Sequence, residues 1–129
     1  MNIAVITGAS AGLGTEYAKA VDKNRFDIEE IWLIARRKDK LEEVAKHLSK
    51  PVRILSFDIT DNQGVSDYVN LLESEKANVK LLINNAGFGK LGLFYEISKE
   101  DNAGMIRLNC EALTVMANVT LPFMSEGAE

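Results

Sequence analysis

The sequence has little that could cross-link the chain or bind a polyanion. Cys110 is the only cysteine, so one chain can form neither a disulfide nor a cysteine-ligated zinc site, and we predict no metal site. We expect Cys110 itself to be a small buried side chain on a helix. Acidic residues outnumber basic ones by 19 to 15, for a net charge of −4. This balance argues against a nucleic-acid partner, whose binding surface needs a basic stripe.

Long apolar runs are also absent, and none approaches the length needed to cross a membrane. The apolar run at residues 3–6 is too short and too poor in flanking charge to be a signal peptide. We therefore expect a cytoplasmic protein with no membrane partner. With 129 residues, 47% hydrophobic and 26% charged, the composition suits one soluble globular domain.

Apolar runs alternate along the chain with segments of helical periodicity, which is typical of a parallel sheet built from βαβ units. We predict strands at residues 3–7, 31–35, 52–57 and 81–83, the last of them fully buried. The fold class is therefore α/β, a doubly wound parallel sheet (Rossmann fold) with the strand order 3-2-1-4.

Three helical segments separate these strands, and each has an apolar face that repeats every three or four residues. The predicted faces are Leu13, Tyr17 and Val21; Leu41, Val44, Ala45 and Leu48; and Val65, Tyr68, Val69 and Leu72. Thr60 and Gln63 predict a capping box at the start of the third helix. Ser98 and Asp101 predict a looser one for a long last helix that ends near Met124.

The last helix carries two apolar faces. One consists of Met105, Leu108, Ala112, Val115 and Val119, and the other of Ile106, Cys110, Leu113 and Ala117. A helix that is apolar on two sides is normally covered on two sides, and nothing that follows could cover the second. We therefore expect residues 1–129 to be a truncated domain. The second face and an unpaired edge of the fourth strand would then join a second copy, in a homodimer or a higher homo-oligomer.

A glycine-rich segment, residues 7–14, connects the first strand to the first helix. In such loops one glycine permits a tight turn, one lets the backbone approach a pyrophosphate, and one lets the helix pack on the strand. The helix N-terminus adds unpaired N–H groups that attract phosphate. A merely tight connection is the alternative interpretation of a lone glycine cluster. The predicted cofactor-binding residues here are Gly8, Ser10, Ala11, Gly12, Leu13 and Gly14.

The end of the second strand, Ala35-Arg36-Arg37, has no acidic residue. In dinucleotide-binding folds an acid about 20 residues beyond the glycines accepts the ribose hydroxyls of NAD, whereas an arginine accommodates the 2′-phosphate of NADP. A guanidinium can bind that phosphate bidentately. We predict NADP(H) as the cofactor, with NAD less favoured and Arg36 as the main contact. Alternatively, both arginines are solvated loop charges.

Four motifs in the same order resemble those of the short-chain dehydrogenase/reductase family, and the resemblance covers essentially the whole chain. The motifs are Thr-Gly-x-x-x-Gly-x-Gly at residues 7–14, Asp58-Ile59 after the third strand, Asn84-Asn85-Ala86-Gly87 after the fourth, and Asn109 in the last helix. The resemblance implies an oxidoreductase that transfers hydride between a nicotinamide and a carbonyl or alcohol substrate.

The resemblance also implies roles for individual residues. Asp58 and Ile59 hold the adenine ring, Asn85, Ala86 and Gly87 line the cofactor site, and Asn109 supports the active site by bracing the local backbone and ordering water. Simpler interpretations are turn chemistry for Asp58 and Asn85 and a buried, satisfied amide for Asn109. Ala11 counts against NADP(H), because relatives that prefer it often carry a basic residue at that position.

The family's catalytic Ser and Tyr-x-x-x-Lys follow a fifth strand, and the sequence has neither in that place. Tyr95 and Lys99 have the spacing but come before the last helix, so we do not expect them to be catalytic. We expect the parent protein to be an enzyme and this chain alone to be inactive. The alternative is a naturally short, non-catalytic nucleotide-binding or interaction module. The sequence specifies neither the substrate nor the direction of the reaction.

Overall fold

Four parallel strands form the centre of the computed structural model, which describes Met1–Glu129. The strands are β1 (Asn2–Thr7), β2 (Glu30–Ala35), β3 (Val52–Ser56) and β4 (Asn78–Ile83), and their order across the sheet is β3-β2-β1-β4. Val5 of β1 lies between Trp32 of β2 and Leu82 of β4. The predicted fold class and strand order are confirmed.

Helices cover both faces of the sheet. They are α1 (Gly12–Asn24), α2 (Lys38–Ala45), α3 (Asn62–Ser74), α4 (Lys99–Ile106) and α5 (Leu113–Thr120). A π-helical turn (Arg107–Ala112) joins α4 and α5 into one continuous last helix, and a short 3₁₀ turn (Leu121–Phe123) ends it. As predicted, the hydroxyl of Ser98 caps this helix by accepting from the N–H of Asp101. None of the helices is long and apolar enough to span a membrane.

The two faces of the sheet have separate apolar cores, as alternating side chains of parallel strands require. One core joins β1 and β2 to α1 and α2, with Ala18, Val21, Leu41 and Val44 as the buried helical residues. The other joins the same strands to α3 and the last helix through Val65, Tyr68, Leu72, Ala112 and Met116. In the second core the hydroxyl groups of Tyr68 and Thr120 are hydrogen-bonded at 2.9 Å, and burial raises the pKa of Tyr68 to about 12.

Two helical predictions are wrong in detail. The side chains of Leu13 and Tyr17 are exposed, because α1 approaches the sheet on the small residues Gly14 and Ala18. Thr60 does not cap α3, because its backbone and hydroxyl groups donate to Asp58. Asp61 caps the helix instead, accepting from the N–H of Gly64. Thr60 thus forms a local turn with the preceding acid, and the residue after it supplies the cap.

The second apolar face of the last helix is exposed, as the sequence predicts. Ile106 is 65% exposed and Leu113 is 38% exposed. Cys110 lies on the same face and is exposed, so the expectation that it is a buried side chain is wrong. Cys110 is exposed because no other element of the chain covers this face of the last helix.

The edge of β4 differs from the expectation in two ways. It is not fully buried, because only Val79 of this strand is completely inaccessible. Nor is its backbone unpaired. Met124 forms a parallel bridge with Val79, and Glu129 pairs further along by donating to the carbonyl of Lys80 and accepting from the N–H of Leu82. The residues after the last helix therefore satisfy part of the edge that a neighbouring strand would otherwise pair.

The hydroxyl of Thr7 joins the carboxyl ends of β1 and β4. Thr7 is completely buried, and its oxygen accepts hydrogen bonds from the N–H of Asn85 (3.1 Å) and of Ala86 (3.0 Å). It donates a longer bond, 3.5 Å, to the carbonyl of Ile83. One side chain therefore sets the position at which the backbone leaves β4.

Replacing Thr7 with valine should destabilise the protein, because valine fills the same space without an acceptor. The N–H of Ala86 then loses its only partner, while the N–H of Asn85 keeps a bond to the carbonyl of Ile83. We expect a loss of about 1–3 kcal/mol of unfolding free energy. Urea unfolding monitored by circular dichroism measures the change. Thr7→Ser is the matched control, because it keeps the oxygen, and it should lose less than half as much. Equal losses in the two variants would contradict the role of the hydroxyl.

Candidate functional site

The three glycines between β1 and α1 have three different environments. Gly8 has a φ of +64°, and a Cβ there would lie 2.8 Å from the Cα of Ala86. Gly12 has a φ of +57°, but a Cβ on it would meet nothing within 4 Å. On Gly14 a Cβ would overlap the carbonyl oxygen of Gly8. The turn, the open approach and the close helix packing expected of such a loop are thus all present.

The N-terminus of α1 is open to a ligand. Ala11 stands at the N-cap position with an extended backbone, provides no capping side chain, and is followed by no acid in the first turn. The first N–H groups of a helix have no partner within the helix. Uncapped, they form a site for an anion such as a phosphate.

Two adjoining clefts lie at the carboxyl ends of the four strands, and we call them together the strand-end cleft. One part, about 390 Å³, is lined by Gly8, Ser10, Ala11, Leu13, Arg36, Asn85, Ala86, Gly87 and Leu108. The other, about 380 Å³, is lined by Arg36, Asp58, Thr60, Gly87, Phe88, Gly104, Arg107 and Leu108. Arg36, Gly87 and Leu108 line both parts. In open α/β sheets, ligands bind in this position.

Asp58 is the only carboxylate in the cleft. Its burial alone would raise its pKa, but hydrogen bonds from the backbone and hydroxyl of Thr60 and the charge of Arg36 together lower the pKa below its usual value. Both bonds go to Oδ1, at 2.9 and 2.7 Å. Oδ2 receives no hydrogen bond from the chain, so an ionised acceptor is available to a ligand that carries an N–H group.

Arg36 lies at the junction of the two parts of the cleft. Its side chain is exposed and takes part in no ion pair of the chain. Its backbone carbonyl accepts from the hydroxyl of Ser56, which ties the end of β2 to the end of β3. The backbone is therefore anchored while the guanidinium group stays free to bind an anion.

Asn85 and its neighbours connect the glycine turn to the end of β4. The Asn85 amide donates to the carbonyl of Gly8 at 3.1 Å. The preceding Asn84 faces the last helix, donating a long bond of 3.4 Å to Leu113, while its Oδ1 is buried without a partner. Asn85, Ala86 and Gly87 therefore form the connection after β4 and also line the cleft.

Asn109 holds the backbone of Phe88 at two points. Its Nδ2 donates to the carbonyl of Phe88 at 2.8 Å, and its Oδ1 accepts from the N–H of Phe88 at 2.9 Å. The amide is satisfied, but Asn109 is exposed, so burial does not explain it. The residue belongs to the π-helical turn, a feature often found at functional sites.

Not every predicted site residue lines the cleft. Ile59 is 7% exposed and packs in the core under α3. Gly12, Gly14 and Asn109 support the cleft without lining it. Tyr95 and Lys99, which we do not expect to be catalytic, are also absent from the lining: Tyr95 is 80% exposed and the side chain of Lys99 is 92% exposed. No group of three or more His, Cys, Asp or Glu residues could hold a metal ion.

Five residues that line the cleft were missing from the predicted site: Thr60, Phe88, Gly104, Arg107 and Leu108. Thr60 could have been found, because an Asp followed two residues later by Thr after a strand is a common turn pattern. Phe88 directly follows the Asn-Asn-Ala-Gly motif. Arg107 has no local signal, since only the packing of the last helix brings it to the cleft.

Comparison with known proteins agrees with this geometry. The family model for short chain dehydrogenase matches residues 2–129. An NADP-dependent 3-hydroxy acid dehydrogenase of Shigella flexneri is 31% identical over 128 residues, which are 96% of this chain and 49% of that protein. The chain spans about half the length of the curated relatives it matches.

Solved structures show the same likeness. An alcohol dehydrogenase from Thermococcus sibiricus, complexed with 5-hydroxy-NADP, has a TM-score of 0.84 and 27% identity, over 95% of this chain and 53% of that one. A short-chain dehydrogenase from Sphingobium yanoikuyae, in complex with NADPH, has a TM-score of 0.79 and 31% identity, over 95% and 48%. The family model covers nearly every residue, and the chain therefore belongs to the short-chain dehydrogenase family.

Proposed function

We propose that the strand-end cleft binds NADP(H), and that the chain is the cofactor-binding part of an oxidoreductase acting on a carbonyl or alcohol. The observation that carries the proposal is the alignment, in one cleft, of an uncapped helix N-terminus with the unpaired guanidinium group of Arg36. A pyrophosphate would lie at the N-terminus of α1, beside Ser10 and Leu13. The adenosine would extend past Arg36 toward Asp58.

The preference for NADP(H) over NAD(H) rests on charge. The cleft has no acid at the end of β2, where one would bind the ribose hydroxyls of NAD and repel a 2′-phosphate. Arg36 supplies a cation there instead. The glycine-rich segment adds no second cation, because Ser10 and Ala11 are uncharged. Arg36 would therefore provide most of the preference for NADP(H) over NAD(H). The NADP-dependent relative and the NADP(H)-bound structures support this assignment.

The proposed reaction needs a hydride donor and a proton donor. When bound, NADPH would supply the hydride, and the proton would have to come from a positioned acid. Tyr95 and Lys99 do not fit that role, because both are exposed outside the cleft. In the proposal this chain binds and orients the cofactor, Asn109 holds the backbone of Phe88 beside it, and the chain alone does not turn over.

Arg36→Ala should separate the two cofactors. Losing a charge-assisted hydrogen bond of about 1.5–3 kcal/mol should weaken NADPH binding roughly ten- to a hundredfold, while NADH binding should change less than about twofold. Isothermal titration calorimetry with both nucleotides measures this. Arg37→Ala is the matched control, because Arg37 is an adjacent exposed arginine that does not line the cleft. Equal affinity of the unmodified chain for NADPH and NADH would refute the assignment.

We also propose that the exposed face of the last helix, formed by Ile106, Cys110, Leu113 and Ala117, pairs with a second copy of the chain. Removing a large apolar side chain from water contributes about 1.5–3 kcal/mol, and two-fold symmetry doubles the contribution of each residue. The exposed side chain of Leu121 continues the apolar surface. The edge of β4 would contribute less to the contact between two copies than the sequence suggests, because Met124 and Glu129 already pair with it.

Leu113→Glu should convert the dimer into a monomer, because it places a charge in the apolar contact. Size exclusion with light scattering at micromolar concentration measures the mass. Asn118→Glu is the control, since it adds the same charge to the same helix on an exposed residue outside this face, and it should remain dimeric. A monomeric unmodified chain, or dissociation of both variants alike, would rule out this interface.

A further inference from the structure

Arg107 is an arginine without an evident structural role. The chain has five arginines, and two of them form ion pairs, Arg25 with Asp27 and Arg53 with Glu30 and Glu75. Arg36, Arg37 and Arg107 have no carboxylate within ion-pair distance. In a chain with a net charge of −4, acidic partners are plentiful, so unpaired guanidinium groups at one place need another explanation.

Two of the unpaired arginines line the same part of the strand-end cleft. Arg36 reaches it from the end of β2, and Arg107 reaches it from the π-helical turn of the last helix. Asp58 and Thr60 from the end of β3 line the same part. Arg36 also lines the part beside the glycine turn, whereas Arg107 lines only the part that contains Asp58.

This distribution assigns different ligand groups to the two arginines. Arg36, next to the anion site at the N-terminus of α1, suits a phosphate. Arg107 lines only the part that contains Asp58, away from the helix N-terminus that would hold a phosphate. Asp58 offers its free Oδ2 to an amino group, and a guanidinium plane stacks well on an aromatic ring. A flat heterocycle with an exocyclic amino group satisfies both residues.

We infer that Arg107 stacks on the adenine ring of the bound nucleotide, which the family resemblance already implies is held at Asp58. The inference rests on the proposed function and adds a residue to it. Arg107 sets the affinity for the adenosine moiety and does not read the 2′-phosphate. Arg36 and Arg107 therefore have separable effects, one specific to NADP(H) and the other common to every adenine nucleotide.

The test compares unmodified, Arg107→Ala and Arg107→Lys chains, titrated with NADPH, NADH and 5′-AMP by calorimetry. Arg107→Ala should weaken all three ligands by a similar factor, about three- to tenfold, as expected for a cation–π contact. Arg107→Lys keeps the charge but not the plane, and should recover only part of the loss. Arg37→Ala, which changes an unpaired arginine outside the cleft, should stay within about twofold of the unmodified chain.

A spectroscopic measurement separates stacking from a general effect on the fold. In NMR spectra the side-chain protons of Arg107 should move upfield on addition of 5′-AMP, because a stacked ring shields them.

A loss of affinity in Arg107→Ala that is confined to NADPH would assign Arg107 to the phosphate and overturn the inference, as would unchanged binding of all ligands. If the unmodified chain binds none of the three, the proposed function and the inference both fail. Binding that is indifferent to Arg107 refutes only the inference.

Discussion

The arrangement of the cleft depends on the hydroxyl of Thr7. This buried oxygen accepts from two successive N–H groups, at Asn85 and Ala86, and so fixes the exit of β4 beside the exit of β1. The Asn85 amide then returns to the carbonyl of Gly8, and the positive φ of Gly8 lets the turn pack against Ala86 without a side chain between them. These hydrogen bonds hold together the loops after β1 and β4, which are far apart in the sequence. The two loops form one side of the cleft, next to the open N-terminus of α1.

The last helix borders the cleft on the other side. Asn109 clamps the backbone of Phe88 at both its N–H and its carbonyl group, so the loop after β4 is held at two ends, by Thr7 and by Asn109. A π-helical turn carries both Asn109 and Arg107. A π-helical turn is wider than an α-helical turn and interrupts the regular hydrogen bonding of the helix. Such turns occur frequently at functional sites. The same helix therefore supports the cleft with one face and leaves an apolar face exposed.

Much of this arrangement could be predicted from the sequence, because its signals are local. The spacing of Gly8, Gly12 and Gly14 directly after a strand predicts the turn, and strand periodicity predicts the sheet. The failures have non-local causes. Leu13 is exposed because α1 packs on smaller residues, and the pairing of Glu129 with β4 depends on where the last helix ends. Arg107 reaches the cleft only through that packing, and no pattern in the sequence marks it.

The central claim is that a dinucleotide binds across the carboxyl ends of the strands, and an NMR titration tests it most directly. With ¹⁵N-labelled chain and NADPH, the account predicts that the perturbed amides lie in the loops of the strand-end cleft. These are residues 8, 10, 11, 13, 36, 58, 60, 85–88, 104, 107 and 108. Amides of the buried strand centres and of the outer face of α2 should stay in place. Perturbations confined to the exposed face of the last helix, or none at all at millimolar NADPH, would contradict the account.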